Sequence, residues 1–516
     1  MSLIVPNQLK IHAPQAPDLP NLPNLPASAH SDAEELGGQR LRHVYIETMG
    51  CQMNVYDSER MFEALGKAGY VATDSAELAD LAIVNTCSVR EKVEHKVSSL
   101  LGVWKRLKEF NPDLVLGIAG CVAQQEGEKL LAKMPHLDLV VGPDQISELP
   151  QLVEARRQDQ QRLAATQFVR RQDYEFPMPE APEDGRATAM VTIMKGCNKI
   201  CSFCIVPFTR GREVSKPSQQ VLDEVRMLAD HGVREVTLLG QNVNSYGKDR
   251  NQLSRVSDPT MLSIPGELDF AELIHKVAEI QGIARIRFTT SHPMDCTDAL
   301  IDAFASCSKL MPFFHLPIQS GSPKVLEGMR RAHGVDDYLA KIDRLRQGAP
   351  HVAMSTDLIV GFPGETEADF QMTMDLLPRV GYATLYSFLY SSRPGTRAAE
   401  LADDVPMREK KRRINELQRV QDAMTADWMQ SFAGRELLVL FEGPSRLQQA
   451  GPQSKLAEVR ELRGLQVMGR TPENVKVNVA SEDLHAAQTW KGRLGRVRIA
   501  AVGQHSLQGE LLGWVE

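Results

Sequence analysis

The sequence has no long apolar run, although 42% of its 516 residues are hydrophobic. A membrane-spanning helix needs about 20 consecutive apolar residues, so no membrane association is expected. The N-terminus lacks the charged and then apolar pattern of a secretion signal, and the first arginine is Arg40, which argues against an Arg-rich transit peptide. These absences predict a soluble protein of the cytoplasm.

The sequence also lacks an excess of positive charge and a high content of cysteine. The net charge is −7 at pH 7, so any contact with nucleic acid must come from local patches rather than a global basic field. Eight cysteines in a chain of this length do not make a disulfide framework, and cytosolic thiols stay mostly reduced. The cysteines are therefore candidate metal ligands.

Six of the eight cysteines fall into two groups of three. The compact group, in MKGCNKICSFC, is Cys197, Cys201 and Cys204. The dispersed group, with members about 35 residues apart, is Cys51, Cys87 and Cys121. Each group is one ligand short of a four-coordinate site, which suits a [4Fe-4S] cluster with one open iron. The alternatives are buried core thiols, or zinc, although structural zinc takes four ligands. Cys296 and Cys307 stand outside both groups and are interpreted as structural.

From residue 43 to about residue 157, short apolar strands alternate with amphipathic helices, which predicts an open parallel α/β sheet. Each cysteine of the dispersed group comes just after one of these strands. The carboxyl ends of parallel strands meet at one edge, where such sheets bind ligands. The spacing of about 35 residues is one strand–helix step, so these three cysteines are expected to meet.

A second strand–helix series supplies six candidate strands and predicts a partial (β/α)6 barrel whose site lies at the strand carboxyl ends. The six are residues 188–195, 234–239, 284–290, 311–316, 352–360 and 382–389. The compact cysteine group follows the first of them. His292 and His315 end the third and fourth, and either could be an ordinary buried histidine.

Two further features bear on RNA. The cationic run Arg408–Arg413 is either an RNA contact or a solvated helix face. From about residue 431, apolar alternation broken by glycines predicts a small antiparallel β-barrel that contains Arg493, Arg496 and Arg498. These arginines could meet phosphates, while a purely structural cap is the alternative.

The three-cysteine loop after a strand resembles the radical S-adenosylmethionine (SAM) superfamily. TMGCQMNVYDSE, VNTCSVREKVEHK, AGCVAQQEG and YSSRPGTRAA narrow the resemblance to the methylthiotransferase family, from about residue 41 to the end. The implied domains are a disordered arm at 1–40, a cluster domain at 41–157, a linker at 158–182, a radical SAM core at 183–430 and an RNA-binding TRAM barrel at 431–516. SVREKVEHK, QNVNSYG and RFTTSHP are most similar to the branch that modifies dimethylallyladenosine in tRNA.

The resemblance implies two [4Fe-4S] clusters and SAM as cofactors. One cluster, on the compact group, would generate a radical that takes hydrogen from C2 of N6-dimethylallyladenosine at position 37 of tRNA. The other, on the dispersed group, would present sulfur, and a second SAM would give the methyl group. The residues expected to bind SAM are Gln241, Asn242, Gln319, Ser320, Ile359 and Gly361. Of these, Ile359 and Gly361 resemble the motif of the superfamily that lies behind the adenine of SAM, but Glu365 falls one residue later than the common spacing of that motif.

The expected partners are the anticodon loop of tRNA, an electron donor and a sulfur source, and the protein is expected to act as a monomer. Two rival hypotheses differ in class or substrate. An RNA-binding scaffold with structural clusters would explain the C-terminal barrel but not the motifs at the strand ends. A methylthiotransferase acting on a ribosomal protein would keep the chemistry and change the substrate.

Overall fold

The computed structural model describes residues 35–36, 39–88, 91–248, 267–445, 465–481 and 488–515. The predicted arm, 1–40, lies outside the described residues apart from two short antiparallel strands, β1 (Glu35–Leu36) and β2 (Gln39–Arg40). Within the ranges given above, no helix combines the length and apolar character that crossing a bilayer requires.

The first unit is a parallel sheet of six strands with helices on both faces, in the order β4-β3-β5-β6-β7-β8. Its strands are β3 (Arg42–Thr48), β4 (Tyr70–Ala72), β5 (Leu81–Thr86), β6 (Val115–Gly120), β7 (Leu139–Val141) and β8 (Leu163–Ala165). Its helices are α1 (Gln52–Lys67), α2 (Glu91–Phe110), α3 (Cys121–Glu126), α4 (Glu128–Lys133) and α5 (Leu149–Asp159). The predicted open parallel sheet is confirmed.

Alternating side chains of the central strands explain the two helical layers. Ile83 and Leu81 of β5 pack with α1 and α5, while Ala82 and Val84 pack with α2 and α3. Every residue of β5 and β6 is buried, as expected for strands covered on both faces.

The sheet has six strands, whereas the sequence pattern predicts four, at residues 43–48, 81–86, 114–120 and 137–142. The two additional strands lie at its edges and are only three residues long. β4 has two exposed residues, and β8 pairs with β7 from within the segment predicted to be a linker, 158–182. Such short strands carry no periodic signal, since a pattern of alternation needs four or more residues. The first unit therefore extends at least to Ala165.

The second unit is an arc of six parallel strands with helices outside it. Its strands, with the hairpin β10–β11, are β9 (Thr188–Thr192), β10 (Met194–Lys195), β11 (Val214–Ser215), β12 (Glu235–Leu239), β13 (Arg285–Phe288), β14 (Phe313–His315), β15 (Ala353–Val360) and β16 (Thr384–Leu389). The helices are α6 (Val206–Thr209), α7 (Ser218–Asp230), α8 (Phe270–Ala278), α9 (Asp298–Ser306), α10 (Pro323–Gly328), α11 (Val335–Gly348), α12 (Glu367–Val380) and α13 (Met407–Gln430).

Two three-stranded parallel sheets, β9-β12-β13 and β14-β15-β16, make this arc, and a parallel bridge from Ile286 to Leu310 joins them. β9 and β16 are its two edges, so the predicted partial (β/α)6 barrel is confirmed. Short 3₁₀ turns complete the two units, at Ala76–Leu78, Pro143–Gln145, Arg171–Asp173, Val243–Ser245, Pro293–Asp295 and Arg397–Glu400.

The third unit is a closed five-stranded barrel in the order β17-β18-β19-β21-β20. Its strands are β17 (Glu436–Pro444), β18 (Gln466–Arg470), β19 (Lys476–Ala480), β20 (Leu494–Val502) and β21 (Leu507–Val515). The predicted barrel is present, but it is not antiparallel throughout, because β19 and β21 pair in parallel. That parallel pair closes the barrel.

Two buried arginines of β13 attach the third unit to the arc. Arg285 donates to the carbonyl oxygens of Arg470 and Leu438, each at 2.8 Å. Arg287 donates to the carbonyl of Thr471 at 2.9 Å and to Glu235 at 2.9 Å. These hydrogen bonds hold the barrel against β13 of the second unit.

Candidate active site

The dispersed cysteines meet at the carboxyl edge of the first sheet. Thr48 of β3 lies opposite Asn85 of β5, and Thr86 lies opposite Gly120 of β6, so the three strands end at one level. The cysteines follow those ends directly, as Cys51, Cys87 and Cys121. All three are buried.

The loops that bear these cysteines are tightly packed. Gly50 has φ +146°, and a Cβ atom there would lie 2.5 Å from the Cβ of Cys87. Asn54 joins the strand ends, because its amide donates to the carbonyl of Thr86 at 2.8 Å and its oxygen accepts from the Cys51 thiol at 3.0 Å. Asn85 donates back to the carbonyl of Asn54 at 2.8 Å.

The compact cysteines occupy the loop after β10, at the mouth of the arc. Cys197 donates its backbone N–H to Gly211 at 3.2 Å, and Gly196 donates to the side-chain oxygen of Gln241. Ser202 anchors the loop from below through the carbonyl of Gly328, at 2.7 Å. Cys197, Cys201 and Cys204 line one narrow pocket.

The donor sets of both groups suit iron–sulfur clusters. The eight cysteines are not joined in disulfides, and burial raises the pKa of the Cys51, Cys121, Cys197 and Cys204 thiols. Such thiols ionise when a metal supplies the compensating charge. Within the described residues, no three Cys, His, Asp or Glu side chains are grouped around a single ion. A [4Fe-4S] cube takes one thiolate at each of several irons, so its ligands surround a volume rather than a point.

The pocket beside the compact group is suited to a polar cofactor. Its lining includes buried atoms without a protein partner, namely the Gln241 amide nitrogen, the Asn242 oxygen, the Ser291 hydroxyl and Arg331 Nε. Unsatisfied buried polar groups are costly, which indicates that a ligand completes them. The space is only about 30 Å³, enough for the small polar end of such a ligand.

A second cavity, of about 700 Å³, lies next to this pocket, since Phe203, Cys204 and Gln319 border both. Its walls include the aromatic residues Phe203, Tyr386, Phe388 and Tyr390. Ser88, the neighbour of Cys87, also borders it. The larger cavity therefore lies against Cys204 of the compact group and against the residue that follows Cys87, while Cys51, Cys87 and Cys121 themselves do not border it.

The six residues predicted to bind SAM divide into two sets. Gln241, Asn242, Gln319 and Ile359 line one or both cavities. Ser320 is fully buried behind the wall, where its hydroxyl contacts Thr373 at 3.3 Å. Gly361 has its N–H bonded to Glu365 at 2.6 Å, and a Cβ there would lie 2.4 Å from Lys410. Both of these residues shape the wall from outside the cavities.

The two histidines differ in position. His292 lines the narrow pocket, and burial, with Arg331 nearby, lowers its pKa, so it is a neutral ring. His315 is fully buried between Ser355, at 2.9 Å, and Asp357, at 3.3 Å, which matches the interpretation of an ordinary core histidine. Cys296 and Cys307 are buried in the barrel core, as expected for structural thiols.

Asp295 supports the pocket and was not predicted. It accepts from Asn242 at 2.8 Å and from Lys199 and Lys248 at 2.7 Å each. These bonds orient the Asn242 oxygen, since its nitrogen is committed to Asp295. The only sequence signal was a polar residue close to the end of β13.

We expect Asp295→Ala to weaken SAM binding about 10- to 100-fold, the usual effect of losing a residue that orients a ligand-binding group. Equilibrium dialysis with SAM measures this. Asp298→Ala is the matched control, because that carboxylate is exposed and pairs with Arg344 at 2.8 Å. Equal affinities for the two variants would show that Asp295 does not orient the site.

The run Arg408–Arg413 is largely committed to ion pairs within the fold. Lys410 is buried and pairs with Asp403 at 2.6 Å, while Arg413 pairs with Glu365 at 2.9 Å. Arg412 bonds to Glu409, Glu416 and Glu367. The structure thus favours a helix face over an RNA contact.

Comparison with known proteins agrees with this architecture. The model of an uncharacterized protein family, UPF0004, matches residues 43–142, and that of the radical SAM superfamily matches residues 191–377. A solved radical S-adenosylmethionine methyltransferase, TsrM from Kitasatospora setae, is 14% identical with a TM-score of 0.48, over 67% of this chain and 73% of its own. The match to the superfamily model, which includes the three-cysteine loop, makes this chain a radical SAM enzyme.

Full-length relatives make the assignment narrower. The tRNA-2-methylthio-N(6)-dimethylallyladenosine synthase of Ruegeria pomeroyi is 46% identical over 91% of this chain and 99% of its own length. The synthase of the same name from Ralstonia pickettii is 45% identical over 91% of this chain and 98% of its own. The chain belongs to the tRNA-2-methylthio-N(6)-dimethylallyladenosine synthase family.

Proposed function

We propose that this enzyme methylthiolates C2 of N6-dimethylallyladenosine at position 37 of tRNA, giving the 2-methylthio derivative, in the cytoplasm. The observation that carries the proposal is the larger cavity, bordered by Cys204 of one cysteine group and by Ser88, the neighbour of Cys87 in the other. A target base in that cavity would lie between the radical loop and the loop that bears Cys87. The names of the full-length relatives support the same substrate.

Two [4Fe-4S] clusters would be held by three cysteines each, as described above. When bound, the cluster at the radical loop would pass an electron from the electron donor to SAM for its reductive cleavage, and the auxiliary cluster would supply sulfur, with a second SAM as methyl donor. Gln241 and Asn242 present a donor and an acceptor to the polar end of SAM. Gln319 and Ile359 border the path to the larger cavity, so they contact the adenosyl part, and Ser320 and Gly361 hold that wall in place.

The larger cavity suits a flipped purine that carries an apolar substituent. Tyr386, Phe388 and Tyr390 offer aromatic surfaces for stacking, and Leu385 and Ile414 add aliphatic contact. Gln418 and Asp422 of α13 supply polar groups at the same wall. Enzymes that modify a base extrude it from the stack, and bases of the anticodon loop are easily unstacked.

The C-terminal barrel is proposed to be a TRAM module that binds tRNA. Arg493, Arg496 and Arg498 are exposed on or next to β20, and Arg493 lies over the ring of Trp514 at 3.8 Å. Arg498 also pairs with Glu436 at 3.2 Å, which leaves Arg493 and Arg496 as the better phosphate ligands of the three. The other partners are an electron donor and a sulfur source, and the enzyme acts as a monomer.

We expect the double variant Arg493→Gln, Arg496→Gln to bind tRNA more weakly, with the slope of log affinity against log salt reduced by about one to two, because each phosphate contact contributes about one. Filter binding across a salt series measures both. Arg344→Gln, at an exposed arginine on α11, is the control. An unchanged slope would mean that these arginines do not contact phosphates.

The substrate is tested by offering one anaerobic preparation three candidates. These are tRNA carrying N6-dimethylallyladenosine, the same tRNA with unmodified adenosine, and ribosomal proteins. A methylthio product on the first alone supports the proposal. A product on a ribosomal protein would overturn the substrate while keeping the chemistry, and no 5′-deoxyadenosine from a preparation with both clusters would favour an RNA-binding scaffold.

A further inference from the structure

Arg210 is a buried arginine at the junction between the two cysteine groups. It follows Cys204 by six positions and ends α6, where its N–H bonds to the carbonyl of Val206 at 2.8 Å. Its side chain crosses to the first unit. Nε donates to the sulfur of Cys121 at 3.3 Å, and Nη2 lies 2.6 Å from a carboxylate oxygen of Asp57.

All three groups are withdrawn from water, since Arg210, Asp57 and Cys121 are 6%, 6% and 8% exposed. Replacing a buried ion pair by apolar side chains of similar volume often leaves stability unchanged or increases it, because the apolar side chains carry no desolvation cost. Stability alone therefore does not explain this ion pair. Asp57 satisfies the guanidinium charge. The hydrogen bond to a thiol is then left to be explained, and packing alone does not require it.

A cluster ligand explains that bond. Charged donors bond strongly to anionic acceptors, and a cysteine that holds iron is a thiolate. Hydrogen bonds to the sulfurs and the local charge are two of the factors that set the reduction potential of an iron–sulfur cluster. They also fix the direction in which a ligand points.

We propose that Arg210 is a positioning residue which aims Cys121 at the auxiliary cluster and raises the reduction potential of that cluster, with Asp57 limiting the rise. This inference rests on the proposed function, because it requires the auxiliary cluster. It also links the two halves of the site, since α6 continues directly from the radical loop and packs beside α3, which begins at Cys121.

The compact group has a different arginine, so Arg210 can be tested separately. Arg331 donates to the sulfur of Cys201 at 3.5 Å and to the carbonyl of Pro317 at 2.6 Å. Changes at Arg210 leave these contacts in place. The effect of a substitution should therefore appear in the potential of the auxiliary cluster.

The test uses the full chain with Cys197, Cys201 and Cys204 replaced by alanine, so that only the auxiliary cluster can assemble. Its midpoint potential is measured by a redox titration followed by electron paramagnetic resonance. In Arg210→Gln we expect the ratio of oxidised to reduced cluster to rise about tenfold at the parent's midpoint, equivalent to a fall of about 59 mV for a one-electron couple. Arg210→Lys keeps the charge and should move less.

Asp57→Asn should shift the potential in the opposite direction, because it exposes the cluster to the full charge of Arg210. A merely structural role would not give opposite signs. Arg212→Gln is the matched control, since this arginine is two residues away and exposed. It should match the parent.

Unchanged potentials in Arg210→Gln and Asp57→Asn, or shifts of one sign, would overturn the inference while leaving the proposed function intact. If Arg210→Gln does not retain iron, a rise in the potential of Asp57→Asn supports the inference, and a fall or no change overturns it. If Asp57→Asn does not fold, a larger fall in the potential of Arg210→Gln than of Arg210→Lys supports the inference, and equal or reversed shifts overturn it. A parent that assembles no cluster would instead contradict the proposed function, and the inference with it.

Discussion

Replacing Cys121 with alanine is expected to abolish methylthiolation while 5′-deoxyadenosine is still formed, whereas Cys201→Ala is expected to abolish both products. The reason is that Cys121 and Cys201 lie in separate loops, at the end of β6 and after β10, with separate supporting contacts. Each variant should therefore lose one cluster and keep the other. Iron should fall from about eight to about four atoms per chain in either case.

Cys307→Ala is the control for this pair, because Cys307 is buried, as Cys121 is, but lies in the core of the arc outside both groups. It should retain the full iron content and both activities. Loss of both clusters in Cys121→Ala or Cys201→Ala would contradict the assignment of two independent sites.

Gly196→Ala is expected to remove the radical cluster while the auxiliary cluster remains. Gly196 has φ +73°, and a Cβ atom there would lie 2.1 Å from the carbonyl oxygen of Arg212. That oxygen belongs to the backbone between α6 and β11, which also holds Cys197 through the carbonyl of Gly211. The clash therefore cannot be relieved by turning a side chain. The left-handed conformation costs an alanine about 1–2 kcal/mol in addition. The measurements are 5′-deoxyadenosine formation and iron content.

Gly232→Ala separates the clash from the cost of the conformation. Gly232 has φ +88°, but a Cβ there meets no atom within 4 Å. This variant should lose some stability and keep both clusters. Wild-type rates of 5′-deoxyadenosine formation in Gly196→Ala would show that the loop tolerates displacement, contrary to our account of how Cys197 is held.

Much of the fold could be predicted because its signals are local. Long apolar strands such as β5 and β15 alternate with helices, and cysteines spaced by one strand–helix step must arrive at one sheet edge. The three-residue strands β4 and β8 were missed, since their pairing depends on neighbours rather than on pattern.

The supporting residues of the site could not be predicted, because their partners are distant in sequence. Arg210 and Cys121 are 89 residues apart, and Asn242 and Asp295 are 53 apart. A motif locates the ligands, but the chain must fold before these polar contacts exist. For the same reason, the sequence left the run Arg408–Arg413 open between an RNA contact and a helix face, whereas the structure pairs Lys410, Arg412 and Arg413 with carboxylates.

The most direct test of the account uses tRNA whose N6-dimethylallyladenosine carries deuterium at C2. After an anaerobic reaction with SAM and a reductant, the RNA is digested, and nucleosides and 5′-deoxyadenosine are analysed by mass spectrometry. We predict a 2-methylthio nucleoside that has lost the deuterium and 5′-deoxyadenosine that has gained it. A methylthio nucleoside formed with unlabelled 5′-deoxyadenosine, or retention of deuterium in the product, would contradict hydrogen removal from C2 by the SAM-derived radical.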